Sequence, residues 1–287
     1  MRIPRHWTKA SYTGTDHKGK KVTCSAWGWS LDDPARAQAD GLSRARKIFD
    51  RLINGPRPDK YEYADQPPRE EIVSAARQGD RDVAIVTRNR YGALVLNAAS
   101  VLFVDVDYPK IKPSGVWDAL VLLFSRSQRE WRKAAARELT LESVRRWSQQ
   151  NTGRAFRVYR TCAGLRLLFV DRLYEPKSEE TARILRELDS DPLYCRLTLK
   201  QECFRARLTP KPWRCGSKDP PNQYPWTDQN AERRYRDWQR RYEKAADGYR
   251  VCDLVETCGK PAHNDEIDTI LALHDELACA GADKELA

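Results

Sequence analysis

Residues 101–107, Val-Leu-Phe-Val-Asp-Val-Asp, constrain the fold of this chain more than any other stretch. A short, unbroken apolar run reads as a buried strand. A chain of 287 residues is long enough to cover it, with room for one large domain or two small ones. Alternate residues of a strand share a face, so Asp105 and Asp107 point the same way while Val106 enters the opposite layer. Two neighbouring carboxylates repel unless a cation lies between them. Divalent ions bridging carboxylates and phosphate oxygens stabilise both the attacking and the leaving oxygen in phosphoryl or nucleotidyl transfer. The same triplet also fits a turn or a salt-bridged strand end, and both readings stay open on the residues alone.

The rest of the chain alternates strand and helix signals. Residues 21–29 alternate as a strand, and Asp33-Pro34 opens a helix that Gly55 closes. Residues 56–68 read as a polar connection, 69–77 as a short helix, and 83–97 as a hairpin around Asn89-Arg-Tyr-Gly92. Helices are predicted over 117–124 and 128–139, with Thr140 capping a further one. Residues 155–161 and 165–171 read as paired strands joined through Cys162-Ala-Gly164, 178–188 as helix, and 193–208 as mostly strand. Two helices follow, one carrying Ala231, Tyr235, Trp238, Tyr242 and Ala245, the other spanning 265–279. From residue 101 to 208 the order is β-α-β-β-α-β, that of the ferredoxin-like or RRM-like fold. The predicted class is therefore α+β. Residues 1–80 would form an N-terminal extension, 81–214 the core, and 215–287 a basic aromatic helix followed by an acidic one.

Charge narrows the partners. Net charge is +10, and residues 204–250 carry twelve Lys/Arg against six acids. Residues 261–287 carry one Lys against seven acids, so the body is more basic than the total. Such a surface attracts polyanions, nucleic acid or nucleotides foremost. No stretch approaches the roughly 20 apolar residues of a membrane span, and residues 1–7 lack the apolar region of a secretion signal. The eight cysteines are irregularly spaced without Cys-x-x-Cys, which favours free thiols and a cytoplasmic setting. Cys252, Cys258, His263 and His274 offer zinc-ligand types, but at spacings that fit none of the usual patterns. No Gly-x-Gly-x-x-Gly follows a strand and no P-loop pattern occurs, so nothing points to a flavin, nicotinamide or haem site.

Three further constellations carry candidate chemistry. In Arg160-Thr-Cys-Ala-Gly-Leu-Arg166, at a hairpin tip, Thr161 offers a hydroxyl, Gly164 an approachable backbone, and Arg160 or Arg166 a phosphate fork. Its alternative is an ordinary hairpin whose Gly relaxes the turn. Arg205 and Arg207 share a strand face, with Lys211, Trp213 and Arg214 on the Pro-stiffened turn after it. A polyanion would relieve their mutual repulsion, as would salt bridges to acids elsewhere. Arginines surround the aromatic stripe of residues 232–244, where the rings are expected to pack rather than to stack on bases.

Together these residues resemble the archaeo-eukaryotic primase superfamily, the primase-polymerases. The resemblance covers about residues 83–214 and rests on Phe-Val-Asp-Val-Asp, on Thr161, Gly164 and Arg166, and on Arg205, Arg207 and the Pro-Lys turn. It implies an RRM-like core in which Asp105 and Asp107 are catalytic and hold Mg²⁺ or Mn²⁺. It also implies that Thr161, Gly164, Arg166, Arg205, Arg207, Lys211 and Arg214 contact nucleotide, DNA or RNA. Arg166 stands where the family has His, and its third acidic motif would fall on Asp171 or Glu202. The activity so implied is nucleotidyl transfer. A non-catalytic nucleic-acid-binding protein, a metal-dependent nuclease, and a protein whose acidic tail covers its own basic face are the alternatives.

Overall fold

The computed structural model describes residues 1–55, 67–109, 113–281 and 283–287. The connection expected over 56–68 thus falls largely outside the described residues. Strands β1 (His6–Thr15) and β2 (Lys21–Ser30) form an antiparallel hairpin. Helix α1 (Pro34–Asn54) starts where Asp33 accepts a hydrogen bond from the Ala35 N–H, with Pro34 in the first turn. It lies so close to the hairpin that a Cβ on Gly28 would stand 2.0 Å from the Gly41 nitrogen.

Strands β3 (Glu71–Gln78), β4 (Arg81–Arg88) and β5 (Leu94–Ala98) form an antiparallel meander. Residues 69–77 are therefore mostly strand and not the short helix expected. Register shifts between Ile72 and Ser74 and between Ala76 and Arg77 break the alternation that would have marked a strand. Asn89 closes the β4–β5 turn by accepting from the N–H groups of Tyr91 and Ala93.

Strand β6 (Phe103–Asp107) is the apolar run, and Phe103 and Val104 are wholly buried. Helices α2 (Val116–Phe124) and α3 (Arg126–Gln150) follow. The second does not restart at Thr140, whose hydroxyl donates to the Ala136 carbonyl within one continuous helix. Strands β7 (Phe156–Thr161) and β8 (Gly164–Phe169) come next, then α4 (Glu179–Glu187), α5 (Pro192–Gln201) and β9 (Phe204–Arg207). Residues 193–208 are thus mainly helix. Asp191 caps α5 by accepting from the Leu193 N–H, and Pro192 fits its first turn, a start signal that outweighs the β-forming residues behind it.

In space β6 pairs with β8 and β8 with β7, all antiparallel, but β9 joins β5 instead of β6. The result is two four-stranded sheets, β11-β7-β8-β6 and β3-β4-β5-β9, with β11 (Cys252–Cys258) filling the place beside β7. Tyr194 of α5 links the facing edges. Its hydroxyl donates to the Phe103 carbonyl at 2.9 Å and receives the Arg205 N–H at 3.4 Å.

Helix α6 (Gln229–Ala246) buries Tyr235, Trp238 and Tyr242, and the last two rings stack 5.2 Å apart. This stripe packs, as expected, and docks on the β4–β5 turn. Gly92 (φ +85°) faces the Trp238 ring so closely that a Cβ there would stand 2.2 Å from it. Short strand β10 (Tyr249–Arg250) precedes β11, and β12 (Glu285–Leu286) pairs with it after helix α7 (Asp265–Ala278). Helix α7 buries Ile267, Ile270 and His274 in the main core with Phe103, Phe156 and Phe169. Its acids meet the body at particular arginines: Asp275 accepts from Arg157, and Glu266 from Arg81. Among the described residues no helix is long and apolar enough to cross a membrane.

Candidate functional site

The pairing of β6 with β8 sets Asp105 directly opposite Arg166 and Asp107 opposite Gly164. Arg166 is 2% exposed. Its Nε donates to Asp105 Oδ1 at 3.0 Å and its Nη1 to the Arg207 carbonyl at 2.9 Å. Burial acts to depress this guanidinium, yet the Asp105 carboxylate, together with Cys252 and Tyr194, outweighs it and holds the group above its ordinary value. Asp105 keeps about a third of its side-chain surface exposed at 35%, and Asp107 is exposed. Both carboxylates lie on the same face, as the strand period requires.

A cleft of about 710 Å³ opens beside Asp105, between the two sheets' facing edges and the N-terminal hairpin. Asp105, Arg166, Arg205, Arg207 and Lys211 line it, together with Tyr194 and the aromatic rings of Trp27 and Tyr91. Asp107, Thr161, Gly164 and Arg214 are not among its walls.

Four of the cations that line this cleft are held in different ways. Arg205 is committed to structure: it donates to both carboxylate oxygens of Glu70 at 2.8 and 2.7 Å and to Gln201 at 2.9 Å. Arg166 is committed to Asp105. Arg207 has no hydrogen-bonded or ion-paired side chain among the described residues. Burial and then the positive charge of Arg166 push it down to about 10. Lys211 is also lowered, by burial and then by Arg207 and Arg214, and its ammonium stands 5.3 Å above the Trp213 ring.

The other predicted residues have local duties. Thr161 donates to the Gly164 carbonyl at 3.0 Å and accepts its N–H at 3.1 Å, closing the hairpin on itself. Gly164 does not offer its backbone to a ligand. A Cβ there would stand 2.1 Å from the Val106 carbonyl oxygen, so the glycine permits close contact between β8 and β6. Arg160 pairs with Asp253 at 2.8 Å. Of the two acids considered for a third motif, Asp171 accepts from the Tyr174 hydroxyl and Glu202 pairs with Lys177 at 2.6 Å. Neither lines the cleft.

Sequence reasoning missed Tyr194, Glu70 and Trp27, which reach the cleft from distant segments and carry no motif of their own. It placed Cys252 and His274 in one metal-ligand set with Cys258 and His263. The structure joins the first two to Cys279 instead, and puts His263 in a separate exposed group with Asp265 and Asp268. No family model matches the chain, and no curated protein or solved structure is significantly similar to it.

Proposed function

We propose that this chain is a metal-dependent nucleotidyltransferase of primase-polymerase type whose cleft receives the phosphates of a nucleotide or nucleic-acid strand. One observation carries the reading: Arg207 is largely buried beside Lys211 and Arg166, and among the described residues no carboxylate is paired with it, Asp105 being engaged by Arg166. Buried cations that repel one another are destabilising until an anion joins them. A polyphosphate meets that need with several charges at once, and an arginine fork grips its oxygens in pairs. Trp27 and Tyr91 stand in the same cleft, and an aromatic face stacks on any base.

The chain order between Phe103 and Arg207 supports a ferredoxin-like reading of this region, with each crossover helix doubled. In that reading β9 is the fourth strand, drawn to the second sheet but still tied to β6 through Tyr194 and Arg166. The eight free thiols suit a reducing cytoplasm.

Asp105 and Asp107 fit Mg²⁺ or Mn²⁺ by donor type, being hard oxygens on one strand face. Among the described residues no third His, Cys, Asp or Glu gathers with them. Substrate phosphate and water would complete the shell, as is usual for Mg²⁺. The ion would neutralise charge developing on phosphate oxygens during transfer. Arg166 fixes one oxygen of Asp105, whose side chain lines the cleft, while Arg207 and Lys211 bind the remaining phosphate charge.

The Asp105–Arg166 pair also favours a second reading, a non-catalytic nucleic-acid-binding protein in which Arg166 takes the place of an ion. Nucleotide incorporation on a primed single-stranded template with Mn²⁺ separates the two. Wild-type incorporation that Asp107→Ala and Asp105→Asn abolish is the expected result. Template that stays bound and intact without extension by wild type would exclude the transferase and leave the binding protein.

A further inference from the structure

Next to Arg166, three ligand-type side chains that do not line the cleft converge. Cys252 begins β11, His274 lies in the last turns of α7, and Cys279 follows that helix as its C-cap. Cys252 and His274 are wholly buried, and Cys279 keeps partial solvent contact. The Cys252 Sγ is 3.4 Å from the Cys279 Sγ and 3.8 Å from the His274 Nε2.

We propose that Cys252, His274 and Cys279 bind a structural or water-completed Zn²⁺ ion. Tetrahedral zinc with bonds of about 2.3 Å to sulfur and about 2.1 Å to nitrogen separates two sulfurs by about 3.8 Å, and a sulfur from a nitrogen by about 3.6 Å. The observed separations differ from these by a few tenths of an ångström, which side-chain rotation accommodates. Two thiolates and one imidazole are a borderline-soft donor set that selects zinc over the Mg²⁺ or Mn²⁺ suited to Asp105 and Asp107.

The surroundings of His274 are an independent observation pointing the same way. Its Nδ1 lies 3.0 Å from Asp275 Oδ1, and that carboxylate accepts in turn from the Tyr159 hydroxyl at 2.7 Å and from Arg157 at 2.9 Å. A carboxylate on Nδ1 favours the proton there and leaves Nε2, 3.8 Å from the Cys252 sulfur, as the ring's electron-pair donor. This is the support that metal-bound histidines usually have. The ring is further held against Tyr159 and Phe103, with centroids 4.7 and 5.5 Å away. Arg166 Nη1 stands 3.5 Å from Nε2, so the charge balance matters. Two thiolates match the charge of one Zn²⁺, so the loaded site is neutral and the guanidinium is not repelled.

A disulfide is the competing use of the two sulfurs. It needs an S–S bond of about 2.05 Å, whereas the two sulfurs stand 3.4 Å apart. The position gives the ion a structural consequence: it would clamp the end of α7 to β11 beside the arginine that holds Asp105. The proposal does not depend on the transferase reading, because metal content is measured without activity.

The test is elemental analysis of the full-length protein purified without chelator, followed by Co²⁺ titration of the metal-stripped form. About one zinc per chain, and thiolate-to-cobalt charge-transfer absorption that is lost in Cys252→Ser and Cys279→Ser but kept in Cys258→Ser, are expected. Absence of zinc together with failure of wild type to develop that absorption would overturn the site. So would an intact mass lacking two hydrogens that reduction restores, which would assign the sulfurs to a disulfide. Both overturning results come from the wild-type chain, so a variant that fails to fold cannot hide them.

Discussion

Arg166 and Asp105 face each other across the β6–β8 ladder, the buried guanidinium donating to the carboxylate at 3.0 Å while its other arm donates to the Arg207 carbonyl on β9. The acidic pair read from the sequence is therefore not a free pair. One of its members neutralises a cation that ties the two sheets together. Removing a partner from a buried pair leaves an uncompensated charge, at a cost of about 3–5 kcal/mol when both groups are sequestered. Asp105 is partly exposed, so water offsets some of this and about 1–3 kcal/mol is expected for Asp105→Ala. Asp105→Asn keeps an oxygen acceptor for Arg166 and should lose less than half of that. Urea unfolding midpoints compare the two. Equal losses would show that the ion pair does not hold the sheets together.

Gly164→Ala separates a packing role from a ligand role at the hairpin. An added methyl meets the Val106 carbonyl, a backbone atom that cannot turn away, so a loss of about 1–3 kcal/mol is expected from overpacking. A glycine that merely let a ligand approach would instead retain its stability as alanine and lose nucleotide affinity. Thermal melting and binding measured on the same variant decide between them.

Arg207 illustrates a conflict between stability and binding. Its value near 10 lies below the 12.5 of an unperturbed arginine, so the folded chain holds the charged form less readily than the unfolded one does. The sign follows: below about 10 the group opposes folding by a constant amount, and this opposition fades only as pH rises from 10 toward 12.5. At neutral pH, Arg207→Gln should therefore leave the ligand-free protein as stable as wild type or more so, by up to about 1 kcal/mol. It should also lose most of the melting-temperature rise that tripolyphosphate gives the wild type. A variant that is destabilised and still responds fully to tripolyphosphate would show that Arg207 is structural and lies outside the phosphate site.

The sequence made β6 legible because four apolar residues followed by Asp-x-Asp leave little choice of structure or placement. It also brought Arg166 to the hairpin beside that strand, but not the burial of Arg166, which depends on α7 more than a hundred residues further along. The commitment of Arg205 was invisible for the same reason, since Glu70 lies 135 residues away in the chain. Strand β3 was hidden by its bulges, and the departure of β9 from β6 has no local signature at all. Cys252, His274 and Cys279 straddle a strand and a helix end, so their spacing follows the packing of α7 on the sheet and matches no sequence pattern.

The exposed arginines of α6 carry the last prediction. Arg236 is held by Glu71, and Arg240 by Asp237 at 2.5 Å. Arg233, Arg234 and Arg241 are exposed, with no ion pair among the described residues. Contacts of such side chains to phosphates release counter-ions, and each adds about 0.7 to the salt slope of single-strand binding. Replacing Arg233 and Arg234 by Gln should then weaken binding about equally for all sequences and reduce that slope by about 1.4. The fold should be unaffected, since neither side chain is buried. Fluorescence anisotropy of a labelled oligonucleotide at several salt concentrations reads the slope directly. An unchanged slope would confine nucleic-acid contact to the cleft around Arg207 and Lys211, whereas the expected fall would extend the track from that cleft along α6.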